Sequence, residues 1–189
     1  MNLPNKLTIS RIFLTFIFMF FLFSRGVWAK SLALFIFALA SFTDYYDGYI
    51  ARKTGQITNF GKIMDPIADK VLTLAAFLAF VELGLIPAWM IVIIIMRELF
   101  VTGVRLVAAS RGIVLAAEQP GKHKTISQIV AIFLMLIFMV AKDAMSNVWN
   151  FTFEIWFRRL IFCIMFLVVL LTITSAVSFI KKNKKILLE

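Results

Sequence analysis

Four of the five aspartates in the chain stand in one stretch, DYYDGYIARKTGQITNFGKIMDPIADK, running from Asp44 to Lys70. Asp44 and Asp47 are three apart, and Asp65 and Asp69 are four apart. Those are the spacings of neighbours on one helix face. The intervening KTGQITNF holds Gly55, Thr58 and Asn59, which suits a tight turn between two antiparallel helices. The two acidic faces can then meet. Carboxylates brought that close repel, and a divalent cation relieves the repulsion. Hard oxygen ligands favour Mg2+ or Mn2+, and the number of carboxylates allows one or two ions.

Two simpler readings compete. The aspartates could cap helices or sit solvated at an interface, or they could form a cation-transport site. The neighbouring residues argue against the second. Gly48 and Ala51 leave the acidic face without bulk, so an extended ligand can approach the backbone closely. Arg52 and Lys70 add positive charge, which a bare cation site would not want. A metal together with basic residues fits a phosphate-bearing substrate.

The elements that must hold these residues are oily. The 189-residue chain is 62% hydrophobic, only 16% charged, and has a mean hydropathy of +0.96. A soluble domain is about 45–50% apolar, so the composition indicates an integral membrane protein. No polar stretch is long enough for a separate soluble domain, and residues 1–189 read as a single polytopic catalytic domain. The net charge of +10 sits mainly between apolar runs and in the tail at 181–189. That pattern suits anionic lipid and makes nucleic acid an unneeded partner. Cys163 is the lone cysteine, which excludes a disulfide framework and suggests a small packing residue. No small-residue cleavage pattern follows the first apolar run, which reads as a retained helix.

Apolar runs predict six membrane helices: Ser10 to Phe23, extending back into an interfacial PNKLT segment, then Lys30–Arg52, Phe60–Glu82, Pro87–Ser110, Lys124–Val140 and Arg158–Ile180. Pro87 is expected at the first helical position. Lys and Arg fall mostly on the side shared by both termini, which predicts cytoplasmic termini and a cytoplasmic acidic stretch.

The acidic stretch resembles the signature of the CDP-alcohol phosphatidyltransferase family, D-x2-D-G-x2-A-R-x8-G-x3-D-x3-D. Asp44, Asp47, Gly48, Ala51, Arg52, Gly61, Asp65 and Asp69 fill every fixed position. The resemblance implies an all-α membrane fold of six helices with a short N-terminal interfacial segment. It implies transfer of a phosphatidyl group from CDP-diacylglycerol to an alcohol, with release of CMP. By the same resemblance Asp44, Asp47 and Asp65 are metal ligands, and Asp69 is the general base and also touches metal. Gly48, Ala51 and Arg52 belong to the CDP pocket, and Gly61 allows close helix approach. Asn5, Thr8 and Arg11 of PNKLTISR would help bind the CDP diphosphate or order the entrance, or serve as a plain interfacial anchor. A homodimer is implied as well, with no face identified.

A second region, RELFVTGVRLVAASRGIVLAAEQPGKHKTISQ, runs from Arg97 to Gln128. Buried charges at Arg97 and Glu98 need partners, and a network of Arg97 with a carboxylate is expected. Arg105, Arg111, Lys122 and Lys124 could grip a phosphate on the acceptor; the competing reading is an ordinary basic loop. This region is similar to the branch of the family whose acceptor is sn-glycerol 3-phosphate. The lone His123 has no required role, and Thr125 and Gln128 could bond substrate or cap a helix. myo-Inositol 1-phosphate or phosphatidylglycerol as acceptor, and a cation transporter, are the alternatives.

Overall fold

The computed structural model describes residues 3–54, 59–112, 119–147 and 149–183, with side chains at 10–43, 70–112, 123–147 and 149–183. Every regular element among them is helical: α1 (Leu3–Phe23), α2 (Val27–Thr54), α3 (Asn59–Glu82), α4 (Ala88–Ser110), α5 (Gln119–Ala144) and α6 (Phe151–Lys182). The six expected helices are all present, and their apolar centres fall where hydropathy put them.

Their ends differ, for a physical reason. Hydropathy marks the part of a helix that suits hydrocarbon, whereas backbone hydrogen bonding continues into the polar interface. So α1 starts at Leu3, and α6 starts at Phe151 and not at Arg158. The added turns of α6 carry a Glu154–Arg158 pair, with Arg158 Nε and Nη2 at 3.0 and 2.9 Å from Glu154 Oε1. Arg158 Nη1 also donates to the Gly84 carbonyl at 2.8 Å, below the start of α4. Pro87 is the residue before α4, with an extended backbone, and Ala88 is the first helical residue. At the other end of α4, Gly112 takes a positive φ of 77°, a conformation that costs glycine little and stops the helix.

Two helices, His123–Ala144 within α5 and Phe151–Lys182, are long and apolar enough to cross a membrane by length and composition, and Ser10–Phe23 and Val27–Thr43 are shorter apolar helices. α4 has 23 residues, about 34 Å at 1.5 Å per residue, but carries Arg97, Glu98 and Arg105.

The chain divides into two compact units. One comprises Met1–Ala79 and Phe133–Phe151, and the other Phe80–Ile132 and Thr152–Glu189. The core of the first holds Phe18, Leu22, Phe37 and Phe77, with Phe37 against Phe18 and Phe133 at ring centroid distances of 5.6 and 5.3 Å. Lys30, buried, donates its ammonium to the Leu22 carbonyl near the end of α1. The core of the second holds Met90, Ile91, Ile94, Ile132, Met165 and Val168. Cys163 is exposed on α6 and is not a core residue.

Candidate active site

The acidic stretch lies on two helices of the first unit. Asp44, Asp47, Gly48, Ala51 and Arg52 fall in the last turns of α2, and Gly61, Asp65 and Asp69 fall in the first turns of α3. The backbone is helical through each aspartate pair, as the spacings of three and four expect. The side chains of these residues, of Asn5 and Thr8 on α1, and of Lys122 lie outside the described residues, as does the segment 55–58. The donor set itself, four carboxylates on two helices, has the hard-oxygen chemistry that suits a divalent cation. Among the residues with described side chains, no group of three or more His, Cys, Asp or Glu converges. Arg11 of α1 is buried, and its carbonyl accepts from Thr15 Oγ1 at 2.9 Å.

The second unit carries a polar cluster built into three apolar helices. The buried stripe of α4 runs Met90, Ile91, Ile94, Glu98, Val101, Ala108, at the spacing of a helix that faces a core. Glu98 thus stands where the pattern calls for an apolar residue. Its carboxylate is flanked by two cations. Arg97 Nη1 is 3.5 Å from Glu98 Oε1, and the Lys124 ammonium of α5 pairs with the same oxygen. Lys124 is 2% exposed and Glu98 7%, so the pair is removed from water. Arg97 also reaches α6, where Nη2 donates to Ser175 Oγ at 2.8 Å.

Two further residues extend the cluster. Arg105 lies two turns beyond Glu98 on α4, and its guanidinium carbon is 5.8 Å from the ring centroid of Phe179, within cation–π range. Ser175 and Phe179 are four apart on α6, so Arg97 and Arg105 meet neighbouring positions of one helix face. Gln128 is one turn beyond Lys124 on α5 and 5% exposed; its Nε2 has no hydrogen-bond partner among the described residues.

The expected network of Arg97 with a carboxylate is therefore present. Its other members, Lys124 and Ser175, were not legible as partners. Lys124 is no part of a loop: it is a buried residue of α5, bonded across to α4. Arg111 closes α4 as its C-terminal cap, and both Arg111 and His123 are exposed.

Residues 1–179 match the CDP-alcohol phosphatidyltransferase family, and the chain belongs to it. It is 45% identical over 148 residues to the CDP-diacylglycerol–glycerol-3-phosphate 3-phosphatidyltransferase of Bacillus subtilis (strain 168), covering 72% of this chain and 77% of that one. It is 42% identical over 139 residues to a probable phosphatidylglycerophosphate synthase of Mycobacterium tuberculosis (strain ATCC 25618 / H37Rv), covering 72% of this chain and 66% of that one. A CDP-diacylglycerol–glycerol-3-phosphate 3-phosphatidyltransferase of Rickettsia typhi is 35% identical over 136 residues, 72% of this chain and 76% of its own.

Proposed function

We propose that this chain transfers the phosphatidyl group of CDP-diacylglycerol to the primary hydroxyl of sn-glycerol 3-phosphate, giving phosphatidylglycerophosphate and CMP. The observation that carries the reaction type is the complete acidic signature from Asp44 to Asp69, set on helical turns of α2 and α3 in a member of the phosphatidyltransferase family. The acceptor follows the relatives named for glycerol 3-phosphate.

Asp44, Asp47, Asp65 and Asp69 would hold one or two divalent ions, Mg2+ or Mn2+. Such an ion, when bound, supplies positive charge against the donor diphosphate and the departing CMP. Asp69 accepts the proton of the acceptor hydroxyl as its oxygen bonds to the phosphorus that bears the diacylglycerol. The bond from that phosphorus to the bridging oxygen breaks, and CMP leaves with the electron pair. Gly48 and Ala51 clear space for the nucleotide, and Arg52 bonds its phosphates, with Asn5 and Thr8 beside them. Arg105, Arg111, Lys122 and Lys124 bind the acceptor phosphate. The described members of that set support the assignment by chemistry: two are arginines, and the buried Lys124 belongs to a cluster in which, among the described side chains, cations outnumber carboxylates.

In this reading all six helices cross the bilayer as one catalytic domain, with both termini, the basic tail and the acidic stretch cytoplasmic, in a bacterial cell membrane. Exposed Phe13, Phe16, Phe20, Val92, Met96 and Leu99 on α1 and α4 suit hydrocarbon. A homodimer is part of the proposal. The test uses the purified full chain in lipid nanodiscs with CDP-diacylglycerol and Mg2+ or Mn2+. CMP release should depend on glycerol 3-phosphate. Release that requires myo-inositol 1-phosphate and ignores glycerol 3-phosphate would overturn the acceptor assignment. Ion flux without CMP release would overturn the enzyme.

A further inference from the structure

Glu98 has no place in the reaction as written, yet it is the most conspicuous polar residue of the second unit. A buried carboxylate is costly unless paired, and this one has two cations on it from two helices. Those cations are tied in turn: Arg97 to Ser175 of α6, and Lys124 within α5 one turn before the buried Gln128. With Arg105 two turns on, the cluster sets three cations against one carboxylate among the described side chains, a formal +2 for those four groups. A phosphate monoester carries about −1.5 to −2 at neutral pH. An ammonium has three donors and a guanidinium five, so such groups can hold a carboxylate and a phosphate together.

We infer that Glu98 is a positioning residue for the acceptor phosphate, fixing the Lys124 ammonium and the Arg97 guanidinium in place before the substrate arrives. This deepens the proposed function and rests on its assignment of Lys124 to the acceptor phosphate. Without Glu98, Lys124 is a flexible four-carbon stem with a strongly hydrated end. Losing the Glu98 carboxylate removes the contact that ties it to α4, so the ammonium can shift or swing toward water, and its donors leave the place where the phosphate would meet them. Simple electrostatics opposes this, because removing a carboxylate raises the positive charge. Placement outweighs charge here because the site is buried and a misplaced donor contributes nothing there.

The full chain in nanodiscs tests the inference through KM for glycerol 3-phosphate, KM for CDP-diacylglycerol, kcat and thermal stability. Glu98→Gln keeps the shape and loses the charge. It should raise the acceptor KM about tenfold, the loss of one well-placed charged contact, with the donor KM within about twofold. Glu98→Asp should recover a large part of that loss, and it keeps the test open if the glutamine variant does not fold. Lys124→Met should also raise the acceptor KM, and adding Glu98→Gln to it should raise it little further. An acceptor KM that is unchanged or lower in Glu98→Gln, while Lys124→Met raises it, overturns the role of Glu98 and leaves the acceptor reading standing. No effect of Lys124→Met on the acceptor KM overturns the acceptor reading of Lys124 itself. Equal rises in both KM values with lowered thermal stability would make Glu98 a packing pin only.

Discussion

The Glu98–Lys124 pair makes a quantitative claim about stability that is separate from its effect on turnover. Both groups are almost fully removed from water, so neither is stabilised by solvent when its partner is lost. Replacing one member of a buried ion pair costs about 3–5 kcal/mol, chiefly because the other charge is stranded. In Lys124→Met the stranded carboxylate keeps Arg97 at 3.5 Å, which puts the expected loss at the lower end, about 3 kcal/mol. Glu98→Gln removes a countercharge from two cations but leaves an amide oxygen to accept from them, so a similar loss of about 3 kcal/mol is expected. If the two residues meet, the double variant loses about 4 kcal/mol and not 6, a coupling of about 2 kcal/mol. That lies well above the roughly 0.6 kcal/mol average for interhelical hydrogen bonds in membrane proteins. Reversible unfolding of the four proteins in mixed micelles, titrated with SDS, measures the cycle. Losses that add to within about 0.5 kcal/mol would refute the pairing of α4 with α5 through these side chains.

Three further outcomes bear on the proposed reaction. Asp69→Asn should abolish turnover while donor binding is largely preserved, measured by CMP release beside equilibrium binding of a CDP-lipid; undiminished turnover removes Asp69 as the base. Arg111→Ala should raise the acceptor KM more than the donor KM, whereas equal effects on the two would make it structural. Removing divalent ions with EDTA should stop CMP release, and Mg2+ or Mn2+ should restore it; full activity after chelation would refute the metal role given to the four aspartates.

Much of this molecule is legible along the chain. The acidic signature depends on residue type and spacing, and α-helical geometry is regular enough that spacings of three and four carry directly into shared faces. The helix centres are equally local, because an apolar run is recorded in the residues of its own length. Polar end turns were not legible as helix, since hydropathy falls there while backbone hydrogen bonds continue. The start of α6 shows this, with Glu154 and Arg158 bonded one turn apart inside a stretch that looks like loop.

What the sequence by itself determined is the reaction motif, the helical membrane class and the need of Glu98 for a cation. Which cation answers that need was decided only in the folded chain. Arg97 is next to Glu98 in sequence, but Lys124 is on another helix, and the Ser175 that holds Arg97 is 78 residues away. Such pairings depend on how each helix is rotated about its axis and how far it is shifted along it. Those quantities are set by the packing of whole apolar faces, and no local spacing records them.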